Sequence, residues 1–302
     1  MEENQTRFQL FVDRLRLRSS PAVRACLAEF FGTIILMLLG TAVGAQVFLG
    51  NQGRWAFGSF ISVSLGWGMA VMFGVFFSGV SGDGHLNPAI TIAFACIGKF
   101  PIKRVIWYIL SQMAGAFIGA LCVFAVYREK IAAYVSTTDG GKYLVETTGG
   151  IFVTNPSASH WTCFLDQVVG TGLLAASVLA VTDPKGWQVP KWLQPLYIGL
   201  LIYTIIGCLC LNCGAALNPA RDLSPRLMLL ICGWGGNAFT AANYYFWIPI
   251  LGPIVGAVVG SVLYELVIGI HLDTVSAPTE PGKIQMARMD FSGEIKNTHQ
   301  YA

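Results

Sequence analysis

The sequence predicts an all-α membrane protein with six transmembrane helices and two re-entrant half-helices in an inverted repeat. Three observations favour this fold class. The 302 residues are 54% hydrophobic and only 12% charged, which is too apolar for a soluble domain. Six apolar stretches are long enough to cross a bilayer. The tetrapeptide Leu-Asn-Pro-Ala occurs twice, at Leu86–Ala89 and at Leu217–Ala220.

The six predicted spans divide evenly between the two halves of the chain. A helix needs about 20 apolar residues to cross the hydrocarbon core. Stretches of this kind cover residues 24–48, 57–79, 103–126, 162–182, 194–212 and 245–270. The 34 glycines of the chain fit such a bundle, because small residues let membrane helices approach closely.

Each tetrapeptide predicts the start of a short helix. Asn is a favoured N-cap and Pro suits the first helical position. After the first copy, residues 90–97 stay apolar for only two turns, or roughly 15 Å, about half of the hydrocarbon core. One Asn-Pro pair is usually only a cap. Two copies in matching places predict half-helices that meet near the midplane with their positive N-termini facing each other.

Basic residues predict the orientation of the bundle. The N-terminal segment, the loop between spans two and three and the loop between spans four and five all face one side. They carry Arg7, Arg14, Arg16, Arg18 and Arg24, then Lys99, Lys103 and Arg104, then Lys185 and Lys191. A charge run often marks only a solvated surface, so the bias serves for orientation alone. The positive-inside rule then predicts that both termini are cytoplasmic.

Two acidic residues are predicted to lie inside spans. Glu29 precedes Gly32-Thr33 in span one, and Asp166 precedes Gly170-Thr171 in span four. A carboxylate at membrane depth is costly and usually functional. We interpret both as supports that accept backbone N–H groups of the loops entering the half-helices, since lipid offers those groups no partner. The alternative is a proton or ion relay.

These features together resemble the major intrinsic proteins, the aquaporin family, over about residues 22–272. The resemblance depends on the two Asn-Pro-Ala boxes and the single Arg after the second, namely Asn87, Pro88, Ala89, Asn218, Pro219, Ala220 and Arg221. Asp222, Pro225-Arg226, Pro249-Ile250 and the Gly-Trp-Gly at 233–235 resemble the glycerol-conducting branch, the aquaglyceroporins. The similarity implies the aquaporin fold, one pore per subunit and a homotetramer.

The resemblance implies a passive plasma-membrane channel for glycerol and water, with urea and other small neutral solutes as further candidates. Asn87 and Asn218 would present amide donors mid-pore, where the half-helix dipoles oppose protons and cations. One alternative is a coupled secondary transporter that binds ions at Glu29 and Asp166. Another is a junctional or scaffolding membrane protein. We expect no enzyme activity, cofactor, metal or nucleic-acid partner, because no nucleophile–base set or metal motif stands out.

The family pattern also implies a selectivity filter. Arg221 offers fixed donors to a polyol, and Trp67 matches the aromatic of span two. The residue three before Asn218 is usually aromatic but here is Ala215. The span-five residue is Gly207 if the following loop is one residue short, whereas a direct count gives Ile206. No His stands at these positions, which argues against a strictly water-selective channel.

The remaining expectations concern His85 and the domain boundaries. His85, two residues before the first box, is a pore-lining candidate. The chain divides into a basic cytoplasmic segment 1–23, a channel domain 24–272 with halves at about 24–135 and 160–272, and a tail 273–302. The tail is rich in Pro, Gly and charge, which predicts a disordered cytoplasmic segment.

Overall fold

The structure is a computed structural model that describes residues 6–15, 20–51 and 56–272. The predicted disordered tail therefore lies outside the described residues. Within the described ranges the secondary structure is entirely helical, which confirms the fold class. The α-helices are α1 Arg7–Leu15, α2 Pro21–Gly50, α3 Phe60–Ser78, α4 Pro88–Cys96, α5 Ile102–Thr137, α6 His160–Thr182, α7 Gln194–Leu209, α8 Pro219–Ile231, α9 Asn237–Tyr244 and α10 Ile248–Val267. Short 3-10 turns occur at Thr148–Ile151, Tyr245–Trp247 and Gly269–His271.

The predicted spans correspond to α2, α3, α5, α6, α7 and α10, and the half-helices to α4 and α8. Five of the helical segments in the described ranges are long and apolar enough to cross a membrane. The exception is α7, whose 16 residues extend about 24 Å. It ends at Leu209, before the predicted end at 212. Conversely, α5 continues past the predicted end at 126 to Thr137, because charged residues end an apolar run without ending a helix.

The two halves pack in matching ways through glycine. In the first half α5 lies against α2, and in the second α10 lies against α6. A side chain at Gly115 or Gly119 of α5 would come within 2.3 or 2.7 Å of a carbonyl oxygen of α2. At Gly256 or Gly260 of α10 it would come within 2.3 or 2.0 Å of a carbonyl oxygen of α6. These contacts leave no room for a Cβ, so glycine allows the close helix packing typical of membrane bundles.

Both half-helices begin as predicted. Asn87 and Asn218 are the N-caps, each with extended backbone near φ −150°, and proline follows as the first helical residue. With nine residues, α4 extends only about 14 Å. It stops before Gly98, whose φ of +75° turns the chain toward α5. α4 is therefore too short to cross the bundle, and its N-terminus lies beside that of α8, because Asn87 and Asn218 each bond the loop of the other half-helix.

Candidate functional site

One cavity of about 1170 Å³ passes through the helical bundle. At one end it is lined by Lys99 and Asp183, which follow α4 and α6. At the other end it is lined by Glu146 and Asn155, between α5 and α6. Because α5 crosses the whole bundle, these residues lie on opposite sides. The cavity therefore has the extent of a path across the membrane.

The two Asn side chains meet at the centre of this cavity. Asn87 Nδ2 donates to the carbonyl oxygen of Leu217 at 2.8 Å, and Asn218 Nδ2 donates to that of Leu86 at 2.8 Å. Each Asn oxygen caps its own half-helix by accepting the N–H two residues later at 2.9 Å. An amide nitrogen carries two hydrogens. One is used by the opposite loop, so the second can bind a solute in the cavity.

The residue before each Asn has a left-handed backbone. Leu86 has φ +52° and Leu217 φ +56°, a conformation that costs about 1–3 kcal/mol for a residue with a side chain. The N–H of Leu86 donates to Glu29 Oε2 at 2.7 Å, and that of Leu217 donates to Gln167 Oε1 at 2.8 Å. These matching bonds hold the strained turns that aim both Asn side chains at the cavity.

Glu29 is fully buried and has the contacts expected of a loop support. Its carboxylate accepts the backbone N–H groups of His85 at 2.9 Å and Leu86 at 2.7 Å. It also accepts the hydroxyl of Ser78 at 3.2 Å and the side-chain amide of Gln112 at 2.8 Å. A carboxylate offers about four acceptor positions, so this network occupies its hydrogen-bonding capacity.

Asp166 does contact the loop that enters α8, but the expectation that it accepts that loop's backbone N–H groups is wrong, because Gln167 accepts the N–H of Leu217. Asp166 instead accepts the side-chain amide of Asn212 at 2.7 Å, and its other oxygen has no hydrogen-bond partner among the described residues. The spacing in the sequence already indicates Gln167 rather than Asp166 as the counterpart of Glu29. Glu29 and Gln167 each stand three residues before their Gly-Thr pair, whereas Asp166 stands four before. One residue rotates a side chain by about 100° around a helix, which turns Asp166 away from Leu217.

Arg221 lies buried on the cavity wall. Its guanidinium donates to the carbonyl oxygen of Phe152 at 2.9 Å and lies 4.4 Å from the ring centre of Trp67, within cation–π range. Trp67 lines the same part of the cavity. A fixed cation and an indole ring are therefore in contact with each other on the cavity wall.

Asp222 pairs mainly with Arg226 rather than with Arg221. Its carboxylate accepts Arg226 Nε at 2.6 Å, whereas the nearest Arg221 nitrogen is 3.9 Å away. Asp222 also accepts the backbone N–H and the hydroxyl of Thr154 at 2.7 and 2.6 Å. Thr154 is two residues after Phe152. This buried network therefore holds the backbone segment whose carbonyl, that of Phe152, orients Arg221. The importance of Arg226 was visible in sequence only as part of a family motif.

The span-five position is Ile206, and the expectation that Gly207 occupies it is wrong. Residues Ile198, Ile202, Ile206 and Cys210 all line the cavity, at the four-residue spacing of one helix face. Gly207 is exposed and outside the lining, and a side chain added there would meet no atom within 4 Å. The same spacing could have identified Cys210, which sequence reasoning missed.

Ala215 lies on the cavity wall with Trp67 and Arg221. It is buried, and its φ of +47° places it in the tight turn that leads to the second Asn. Its methyl group occupies far less space than the aromatic that the family pattern implies. The four candidate filter residues that line the cavity are therefore one aromatic, Trp67, one cation, Arg221, and two apolar residues, Ile206 and Ala215.

His85 also lines the cavity, on the side of the Asn pair where α4 lies. Its Nδ1 is 3.1 Å from the hydroxyl of Thr91, and its ring packs edge-on against Phe94 and Phe100. Asp83 lines the cavity nearby and accepts the hydroxyl of Tyr108. This end of the cavity is therefore lined by both polar and aromatic side chains.

An ion cluster stands at the mouth beyond His85. Lys99 Nζ lies 2.5 Å from Glu265 and 3.5 Å from Asp183, and it joins the loop after α4 to the ends of α6 and α10. Burial raises the pKa of Asp183, but the Lys185 N–H and the charge of Lys99 outweigh it, so this pKa lies below the ordinary value. Asp183 is therefore ionised at neutral pH.

Comparisons with known proteins agree with this geometry. A sequence model of the family described as Major intrinsic protein matches residues 16–264. Aquaporin-9 from Homo sapiens is 41% identical over 266 residues, which cover 86% of this chain and 88% of the relative. Aquaporin-10 from Homo sapiens is 37% identical over 262 residues, with 85% and 84% covered. The X-ray structure of the aquaglyceroporin from Plasmodium falciparum matches with a TM-score of 0.71 at 31% identity, covering 82% of this chain and 98% of that one.

Proposed function

Because this chain belongs to the major intrinsic protein family, we propose that it is a passive transmembrane channel for glycerol, water and other small neutral solutes that excludes protons and ions. One observation carries the proposal. A single cavity reaches both sides of the bundle, and the two Asn amides and Arg221 line it. The path thus presents hydrogen-bond donors to a neutral solute.

Glycerol selection follows from the pairing of Arg221 with Trp67. A polyol offers adjacent hydroxyl oxygens on one edge and a carbon chain on the other. The guanidinium presents several donors in one plane, which suits the hydroxyl edge. The guanidinium lies over the Trp67 ring at 4.4 Å, so the carbon edge would pack against the part of the indole that lines the cavity beside the guanidinium. Urea, a small neutral amide, can accept the same bonds and is a further candidate solute.

Exclusion of protons and cations follows from the electrostatics of the centre. The N-termini of α4 and α8 both carry positive partial charge, and both begin at the central Asn pair. Arg221 adds a full positive charge on the wall. A cation in this path would lose hydration and meet a positive potential. Half-helix dipoles and an Arg are general elements of aquaporin-type barriers.

The two carboxylates within the spans that the coupled-transporter alternative would use both accept hydrogen bonds. Glu29 accepts four hydrogen bonds, and one oxygen of Asp166 is bonded to Asn212. Neither side chain is among the residues that line the cavity. This supports passive conduction over a coupled transporter.

We further propose a multi-pass protein of the plasma membrane with cytoplasmic termini, assembled as a homotetramer. Basic loops on one side support that orientation. Large apolar side chains such as Leu27, Phe31 and Phe73 are exposed on the spans, as expected of helices that face lipid or another subunit. The homotetramer rests on the family resemblance. Crosslinking in native membranes would test the subunit number.

Transport in proteoliposomes tests the function. We expect stopped-flow traces in which glycerol flux rises linearly with its gradient and is insensitive to imposed proton or sodium gradients. Water and urea should also permeate, and ribitol should permeate more slowly than glycerol. Liposomes that contain Arg221→Ala should leak protons, because the positive charge on the wall is removed. Uphill accumulation of glycerol, driven by either ion gradient, would contradict a passive channel.

A further inference from the structure

A short helix that the apolar pattern did not predict precedes the first span. α1 covers Arg7–Leu15, and its start is fixed by a reciprocal cap. The N–H of Thr6 donates to Gln9 Oε1 at 2.6 Å, and the N–H of Gln9 donates to Thr6 Oγ1 at 3.2 Å. This pattern is the capping box. The sequence therefore encodes a defined helix at this position rather than an unstructured leader.

The apolar face of α1 is exposed. Phe8, Phe11, Val12 and Leu15 are 72%, 58%, 44% and 62% exposed. They stand at i, i+3, i+4 and i+7, which places them on one face of a helix. Across the described ranges, α1 is not packed extensively against any other helix. Nine residues form a marginal helix in water, so burial of this face would be needed to keep it stable.

Position and charge point to what buries the face. Only residues 16–20 separate Leu15 from the first residue of α2 at Pro21, and five residues reach at most about 18 Å. α1 therefore stays close to the membrane surface where the first span begins. Residues 6–24 carry five arginines and one aspartate. A basic, amphipathic segment beside a membrane is attracted to anionic lipid headgroups.

We infer that α1 lies flat on an anionic phospholipid surface, with Phe8, Phe11, Val12 and Leu15 inserted among the acyl chains near the headgroups. The helix then acts as a lipid-dependent anchor on the side of the bundle where the chain begins. This inference does not depend on which solute the cavity conducts, because it concerns a surface outside the cavity.

Hydrogen exchange of the full-length protein in lipid nanodiscs tests the inference. One set of discs contains phosphatidylcholine alone, and the other contains roughly 30% phosphatidylserine. We expect amides 8–15 to exchange about tenfold more slowly in the anionic discs than in neutral ones. Salt at about 0.5 M, where the Debye length is about 4 Å, should reduce this difference. Equal exchange rates in the two lipids would overturn the inference.

Two variants separate the apolar and the charged contributions. Phe8→Ser with Phe11→Ser should abolish protection in both lipids. The charge variant should remove only the difference between lipids, and it combines Arg14→Gln, Arg16→Gln and Arg18→Gln. Its matched control removes the same charge on the opposite side of the bundle, and it combines Arg128→Gln, Lys130→Gln and Lys142→Gln. Elution profile and melting temperature confirm that each variant is folded. Protection that persists in the variant with Phe8→Ser and Phe11→Ser would contradict a lipid contact. So would a control variant that loses the difference between the two lipids as the charge variant does.

Discussion

The two halves of the channel build the same loop with different chemistry. In the first half a carboxylate, Glu29, accepts four hydrogen bonds from α3, α5 and the loop before α4. In the second half a neutral amide, Gln167, accepts the N–H of Leu217 and donates to the sulfur of Cys213 at 3.0 Å. Both arrangements produce the same left-handed turn before an Asn. The repeated element is thus the backbone geometry, whereas the acceptor that holds it can vary.

The second half has a further support, a buried ion pair on α8, whereas α4 contains no charged residue. Asp222 and Arg226 are 0% and 1% exposed and directly paired, and they bind the backbone around Thr154 and Ala238. In this half, more of the buried hydrogen bonds are made by side chains of α8 than by Gln167 of α6. Those of α8 hold the backbone that orients Arg221. This contrast indicates that loss of Glu29 should destabilise the fold more than loss of Gln167.

Glu29→Leu should give the largest effect. The variant leaves four buried donors without an acceptor, at about 1–3 kcal/mol each, so we expect a loss of at least about 4 kcal/mol of unfolding free energy. Thermal unfolding in detergent, followed by the elution profile, measures this loss. Gln167→Leu is the matched variant and should lose only about 1–3 kcal/mol. Equal losses would remove the proposed difference between the halves.

Arg226→Met should come next. It leaves Asp222 as a buried charge without its main partner, and such a break costs about 3 kcal/mol or more. The double variant with Asp222→Leu should recover part of that loss, because the unpaired charge is also removed. Thermal unfolding of both variants tests this coupling. A double variant that is less stable than the sum of the single losses would argue against an isolated pair.

Much of this architecture follows from local patterns. The six spans and both half-helix starts could be predicted because apolar length and Asn-Pro caps are local signals. The left-handed turns at Leu86 and Leu217 could not, because a leucine gives no sign of positive φ. Gln167 was missed because an acidic residue beside it looked like the counterpart of Glu29. Only the hydrogen bonds of the folded chain distinguish the two.

Asp166→Asn should give the smallest effect, and it tests whether the charge of Asp166 is needed. One oxygen of Asp166 has no partner among the described residues, and an amide can still accept the bond from Asn212. We therefore expect a stability change below about 1 kcal/mol and unchanged glycerol flux. Loss of transport in a folded variant would favour a relay role for Asp166.

The permeability of Ala215→Phe to water, glycerol and ribitol shows whether this part of the cavity selects solutes by size. Ala215 lines the same cavity as Trp67 and Arg221, so a ring there should narrow the path. Ribitol flux should fall most, glycerol flux less and water flux least. Gly207→Val is the control, because Gly207 is outside the cavity lining. The flux of all three solutes through this variant should be unchanged. Equal loss for all three solutes, or no loss, in folded Ala215→Phe would contradict a filter at this site.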